Sequence, residues 1–296
     1  MLPLILLLSC NGPDDTEPVD TGEPPLEHLF SFAILADPHI AGDIGHEERL
    51  AAAVEWVNTA AAADKIEIVV VVGDIGWDEQ LPVAKALLDE LDMPYVPILG
   101  DNEVHFGDAK AFDDVFTPQY ALLATEFENF ERGAIEVYNP VHNKDSWMNN
   151  LSFDFRGLHW VGLDWISRSD NSVLGEFAEL NNFEGGSYPF FEHELATLDA
   201  GPDENVLLFS HHPMNLGLFN LEQLSQLTGV TNMVSDRVAG AYAGHLHIDF
   251  EESVLDGGYE VFITDATWDD DNRVRLVEVW GNGLRFEYTQ ELVTVQ

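Results

Sequence analysis

Five short clusters rich in acids and histidines punctuate the sequence. They are Asp37-Pro38-His39, Gly73-Asp74, Gly100-Asp101-Asn102-Glu103, His211-His212-Pro213 and Gly244-His245-Leu246-His247. Carboxylates and imidazoles bind divalent metals, and a set without thiolate allows Mn, Fe or Zn. Asp37 and His39 lie two residues apart, as do His245 and His247. In extended backbone such side chains point to the same side, so each pair is expected to aim two ligands at one cavity. Gly73, Gly100 and Gly244 each precede a candidate ligand, and glycine permits a sharp turn and a close backbone approach. Taken singly, each cluster has a plainer reading. Asp-Pro is a common turn, Gly-Asp a turn or helix cap, and a histidine at a strand end is usually hydrogen-bonded in the core. The joint pattern is what points to metal chemistry.

The elements that must carry these clusters can be read from periodicity. An apolar run over 29–36 precedes Asp37. Residues 66–72 are continuous and β-branched, as in a strand buried on both faces, and lead into Gly73-Asp74. Strands over 95–99, 205–209 and 237–243 precede the other three clusters. Residues 47–63, with Leu50, Val54 and Val57 at helical spacing, and residues 80–91 read as helices. This strand–helix rhythm predicts parallel strands with right-handed crossovers. Ligand sites in open α/β sheets form beyond the carboxyl ends of the strands, so the clusters are expected to converge on one edge. Residues 112–130 read as a helix broken near Pro118, and 190–198 as an amphipathic helix. Residues 151–155 and 159–164 read as a hairpin about Arg156-Gly157, and 259–292 as antiparallel strands. No internal repeat and no second domain boundary is visible.

In this order the five clusters resemble those of the calcineurin-like metallophosphoesterase superfamily, from about Leu29 to the C-terminus. The segment 152–164 resembles the hairpin that follows that family's third motif. The resemblance implies an α/β fold, a four-layer α/β/β/α sandwich of the metallo-dependent phosphatase type, with two divalent metal ions. It assigns one metal to Asp37, His39, Asp74 and His247. The second goes to Asp74, Asp101, His211 and His245, with Asp74 bridging. His212 is then a neighbour of the ligands rather than one of them.

The third motif departs from the family, where those positions usually read Gly-Asn-His-Asp/Glu. Two registers fit. With Gly100 as anchor, Asp101 takes the ligand place and Asn102 replaces a catalytic imidazole; slipped by one residue, Asn102 is the ligand. Asn102 can donate a hydrogen bond to a phosphate oxygen but cannot serve as a general acid, a loss that typically costs about 10²–10⁴-fold. His105 either supplies the lost imidazole or is a surface histidine in a loop. Purple acid phosphatases, one branch of the superfamily, place a Tyr three residues after the bridging Asp. Trp77 stands there in this sequence, so no tyrosinate-ferric chromophore is expected. Trp77, Trp147, Trp165 and His142 are candidates to line the pocket.

Composition narrows the partners. With 12 Lys+Arg against 54 Asp+Glu, the formal charge is −42. Nucleic acids bind through Lys and Arg, so none is expected as a partner. The acidity suits a salt-adapted or extracellular surface, or a protein that attracts cations. Residues 1–10 resemble a bacterial lipoprotein signal ending at Cys10, the only cysteine. Its apolar run is too short to span a bilayer. Residues 11–28, acidic with Pro and Gly, read as a disordered tether, and 29–296 as the metallophosphoesterase domain. The expectation is an exported, membrane-anchored lipoprotein, periplasmic or on the cell surface, held by a lipid on Cys10. It would hydrolyse a small phosphate mono- or diester with a hydroxide activated by two metals. The alternative is a non-catalytic, metal-binding surface lipoprotein that acts as a binding module.

Overall fold

The computed structural model describes residues 23–104, 106–133, 135–169, 177–183, 186–199, 201–215, 217–234, 236–254 and 258–295. Cys10, the first twelve tether residues and His105 lie outside this set, so the expectations placed on them are not addressed by the fold. In chain order the strands are β1 (Glu27–Leu35), β2 (Ile66–Val72), β3 (Tyr95–Ile98), β4 (Glu128–Arg132), β5 (Glu136–Asn139), β6 (Lys144–Trp147) and β7 (Leu151–Phe155). They continue with β8 (Leu158–Leu163), β9 (Val206–Ser210), β10 (Val238–Ala243), β11 (Phe250–Ser253), β12 (Glu260–Ile263), β13 (Arg273–Gly281) and β14 (Phe286–Thr294). The α-helices are α1 (Ile44–Asp64), α2 (Leu81–Leu88), α3 (Lys110–Glu126), α4 (Ser187–Thr197) and α5 (Leu221–Thr231).

Two large mixed sheets face one another. One runs in the order β14-β13-β1-β2-β3, the other β11-β12-β10-β9-β8-β7-β4, and β5-β6 forms a separate hairpin. The period-two alternation of side chains sorts the residues of the second sheet. On β9, Leu207 and Phe209 face the first sheet, whereas Val206 and Leu208 pack with α4 and α5. Phe32, Trp160, Phe209, Tyr242 and Phe262 fill the space between the sheets, with neighbouring rings 5.1–5.6 Å apart. Helices α1, α2 and α3 cover the outer face of the first sheet. The four-layer α/β/β/α sandwich is therefore the observed architecture.

Local chemistry sets the element ends. The Asp43 carboxylate accepts from Gly45 N at the start of α1, and Lys65 closes the helix in the left-handed region (φ 54°). Asn220 and Gln223 form a reciprocal capping box on α5. Arg156 and Gly157 both have positive φ and close the expected β7–β8 hairpin. Three expectations are corrected. Residues 128–130, read as the end of a helix, begin strand β4. Helix α3 runs through Pro118 without ending. Gln119 Nε2 and Tyr120 OH, just beyond it, donate to the carbonyls of Tyr95 and Pro97, and these anchors hold the second half of the helix against β3. The stretch 259–292 is not wholly antiparallel, because β12 runs parallel to β10.

A cavity of about 730 Å³ lies at the amino ends of β8, β9 and β10, away from the clusters. On its wall, His159 Nδ1 is 2.8 Å from Asp154 Oδ1 and its Nε2 is 3.6 Å from Glu194 Oε2, linking the β7–β8 hairpin to α4. Burial opposes the charged imidazole, but the Glu194 and Asp154 carboxylates outweigh it and raise its pKa. Burial likewise opposes ionised Glu194, and His159 and Ser152 outweigh it and lower its pKa. The His159 contribution to stability is then complete below its ordinary 6.5 and lost as pH rises through the higher folded value. The Glu194 contribution is present above 4.5 and lost as pH falls. His159→Gln is expected to lose about 1–3 kcal/mol near pH 6 and much less in alkali, as urea denaturation at the two pH values would show.

Candidate metal centre

All five clusters lie beyond the carboxyl ends of parallel strands, on one edge shared by both sheets. β1, β2 and β3 carry Asp37 and His39, Asp74 and Asp101; β9 and β10 carry His211, and His245 with His247. The side chains form two groups. In the first, His247 Nε2 lies 3.1 Å from His39 Nε2 and 3.6 Å from Asp37 Oδ1. In the second, Asp101 Oδ1 lies 2.7 Å from His211 Nε2 and 3.1 Å from His245 Nδ1. Asp74 stands between them, with Oδ2 3.5 Å from His39 Nε2 and Oδ1 3.4 Å from His211 Nε2. One carboxylate thus faces both groups.

The backbone that delivers these side chains is not extended, which corrects the simple same-side argument. Asp37, His39, Asp74, His245 and His247 all have φ between 47° and 71°. Non-glycine residues in that region cost roughly 1–3 kcal/mol each, and such strain gathers at functional sites. Hydrogen bonds between the loops hold it in place. His39 N donates to Asp74 O, Gly244 N to His211 O, Thr267 N to Ala36 O, and His245 N to the Asp37 carboxylate. Glycine is required where loops touch. A Cβ on Gly100 would lie 1.9 Å from Asp74 N, and one on Gly244 2.5 Å from Asp37 Oδ2.

The donor set fits divalent cations. His211 Nδ1 donates to the carbonyl of Val72, which orients the ring and turns Nε2 toward the cluster. Asp37, Asp74 and Asp101 are buried. Burial pushes Asp74 up to about 7, with His211 opposing and Asp101 and Asp37 adding to the rise. Burial works against ionised Asp101 too, but hydrogen bonds from His211 and His245 outweigh it and lower its pKa. His39 is lowered to about 4, chiefly by burial. Burial, together with the flanking His211 and His245, keeps His212 neutral. Bound cations would compensate carboxylates crowded together in such a dry cleft.

The third motif is anchored on Gly100, with Asp101 in the second group. Asn102 lies instead with the first group. Its Nδ2 donates to Asp74 Oδ2 at 2.9 Å and lies 2.8 Å from His39 Nδ1. The amide is turned toward the candidate ligands. Glu103, the last residue of the motif, accepts from Gly76 N and Gly100 N and so ties the second and third loops together. Trp165 is not at the centre. It continues the alternation of Val161 and Leu163 into the outer core against Phe191 and Phe219. Trp147 packs against the inner core beneath Lys110, and His142 lies half-buried beside Gly107.

A different tryptophan reaches the site. Trp268 follows β12, and its ring lies 5.8, 5.7 and 5.2 Å from those of His39, His247 and His46. Its Nε1 is buried without a partner among the described residues. His46 Nδ1 donates to His39 O. The clue to Trp268 was the short β-branched run before it, which reads as a parallel strand only once its partner is known.

The sequence model of the calcineurin-like phosphoesterase family matches residues 30–249. A dimetal phosphatase from Danio rerio shares the fold, with a TM-score of 0.55 and 14% identity over 91% of this chain and 100% of that one. A 5'-nucleotidase from Candida albicans does so with a TM-score of 0.53 and 12% identity over 93% of this chain and 53% of that one. At such identities the likeness to these structures is one of fold alone. No curated protein matches the chain.

The position of Asp74 near pH 7 makes cation binding pH-dependent. A bound cation must displace its proton, so affinity rises with pH. Calorimetric titration with Mn²⁺ is expected to show affinity climbing by about tenfold or more per pH unit below 7 and still rising above it, because the raised pKa of His211 leaves a further proton to displace. A flat profile across pH 7 would contradict this.

Proposed function

The chain belongs to the calcineurin-like phosphoesterase family, and on that premise we propose that it hydrolyses a phosphate mono- or diester with two divalent cations. The seven residues proposed to hold them are Asp37, His39, Asp74, Asp101, His211, His245 and His247. The observation that carries this reading is Asp74, whose two oxygens face a separate group of ligands on either side. When bound, the cations would offset the charge of the phosphate and bring a water near neutrality in pKa.

The residues divide the remaining work. His39, His245 and His247 are partly exposed, and Asp37 and His211 are not, so an ester enters from the histidine side. Trp268 walls the first group and limits how a leaving group can lie there. Asn102 holds His39 and Asp74 in register. It brings no proton to the leaving group, so esters whose leaving group departs unaided are favoured. A second reading, a metal-binding module without turnover, draws on the same observation about Asn102.

The test is hydrolysis of p-nitrophenyl phosphate and bis-p-nitrophenyl phosphate with added Mn²⁺, followed by nucleoside monophosphates. The expected result is turnover of the nitrophenyl esters, lost with a chelator and in Asp74→Asn. Alkyl phosphates should be slower by about 10²–10⁴-fold, for want of a general acid. Bound metal with no turnover of any ester would leave the module as the better account.

A further inference from the structure

His212 is fully buried, yet neither ring nitrogen has a hydrogen-bond partner among the described residues. Buried polar atoms almost always find a partner, and an orphan calls for an explanation such as an ion. The neighbouring His211 shows the ordinary solution, because its Nδ1 donates to the carbonyl of Val72. His212 has no such anchor. Its ring lies 4.5 Å from that of His245, nearly perpendicular to it, and 5.3 Å from that of His211. One of its nitrogens, an Asp101 oxygen and one nitrogen each of His211 and His245 all lie within 4.8 Å of one another. Adjacent residues of a strand point to opposite faces, but the chain turns here. Ser210 Oγ donates to His212 O at 2.8 Å, just where β9 ends. Both rings therefore reach the same cluster.

We propose that His212 is itself a ligand of the second metal position, completing a set of Asp101, His211, His212 and His245. The assignment rests on the two-cation reading above and adds a residue to its seven. It makes the two positions chemically unequal. Asp37, His39 and His247, with Asp74, offer two carboxylates and two imidazoles. The second position offers three imidazoles and Asp101, besides its share of Asp74. Imidazole suits Zn and other late metals, and carboxylate suits Mn. The second position should therefore discriminate more strongly for Zn²⁺ over Mn²⁺ than the first does.

The experiment is NMR of the full chain labelled with ¹⁵N-histidine, titrated with Zn²⁺ to two equivalents. The His212 signals are identified by their loss in His212→Asn. The expected result is that they move into the metal-bound range together with those of His211 and His245, on filling of one position. In His212→Asn, Zn²⁺ affinity at that position should fall tenfold or more, with the other position unchanged. His212→Gln, which keeps a comparable volume, serves as a second variant where the first is poorly folded. His212 signals that stay in the free-imidazole range with two Zn²⁺ bound would overturn this assignment and leave the phosphoesterase reading intact. A chain that binds no Zn²⁺ would overturn both.

Discussion

Three aspartates, Asp37, Asp74 and Asp101, are buried together at the edge where the two sheets meet. Like charges are not held in a dry cleft without compensation, and the rest of the structure is arranged around supplying it. Five histidine rings surround the carboxylates. The loops that present them cross-bond through His39 N, Gly244 N and His245 N. Five of the seven presenting residues sit at left-handed φ, which a fold tolerates only where the surroundings over-determine it. The aromatic stack from Phe32 through Trp160 and Phe209 to Tyr242 fixes the sheet separation. Without that separation the ligands of β1–β3 would not meet those of β9 and β10.

The same constraint bears on substrate. A chain of formal charge −42 repels phosphate esters, and no Lys or Arg lies among the seven candidate ligands. On the proposed reading, attraction for an anionic substrate comes from cations held at the centre. Asp101 in place of a neutral asparagine adds to the charge that would hold them. Asn102 in place of an imidazole removes a proton donor and adds a brace between His39 and Asp74. On the proposed reading Asn102 exchanges leaving-group assistance for rigidity.

Much of this was legible in the sequence, for a physical reason. Strands buried on both faces must be continuous and apolar, so Ile66–Val72 and Val206–Ser210 announce themselves and the polar residues after them stand out. What was hidden depended on long-range pairing. Trp268 follows β12, whose direction is set by β10 and not by its own four residues. The run of α3 through Pro118 depends on anchors to β3. The reach of His212 into the cluster depends on a turn made by Ser210. The left-handed backbone at Asp37 and His39 was likewise invisible, because only the neighbouring loops enforce it.

The central claim is that the seven side chains form one centre for two cations. Anomalous diffraction from crystals grown with Mn²⁺ tests it most directly. The account predicts two peaks roughly 3.5–4 Å apart, one among Asp37, His39 and His247 and the other among Asp101, His211 and His245, with Asp74 between them. A single peak, or peaks elsewhere with this cleft empty, would contradict it.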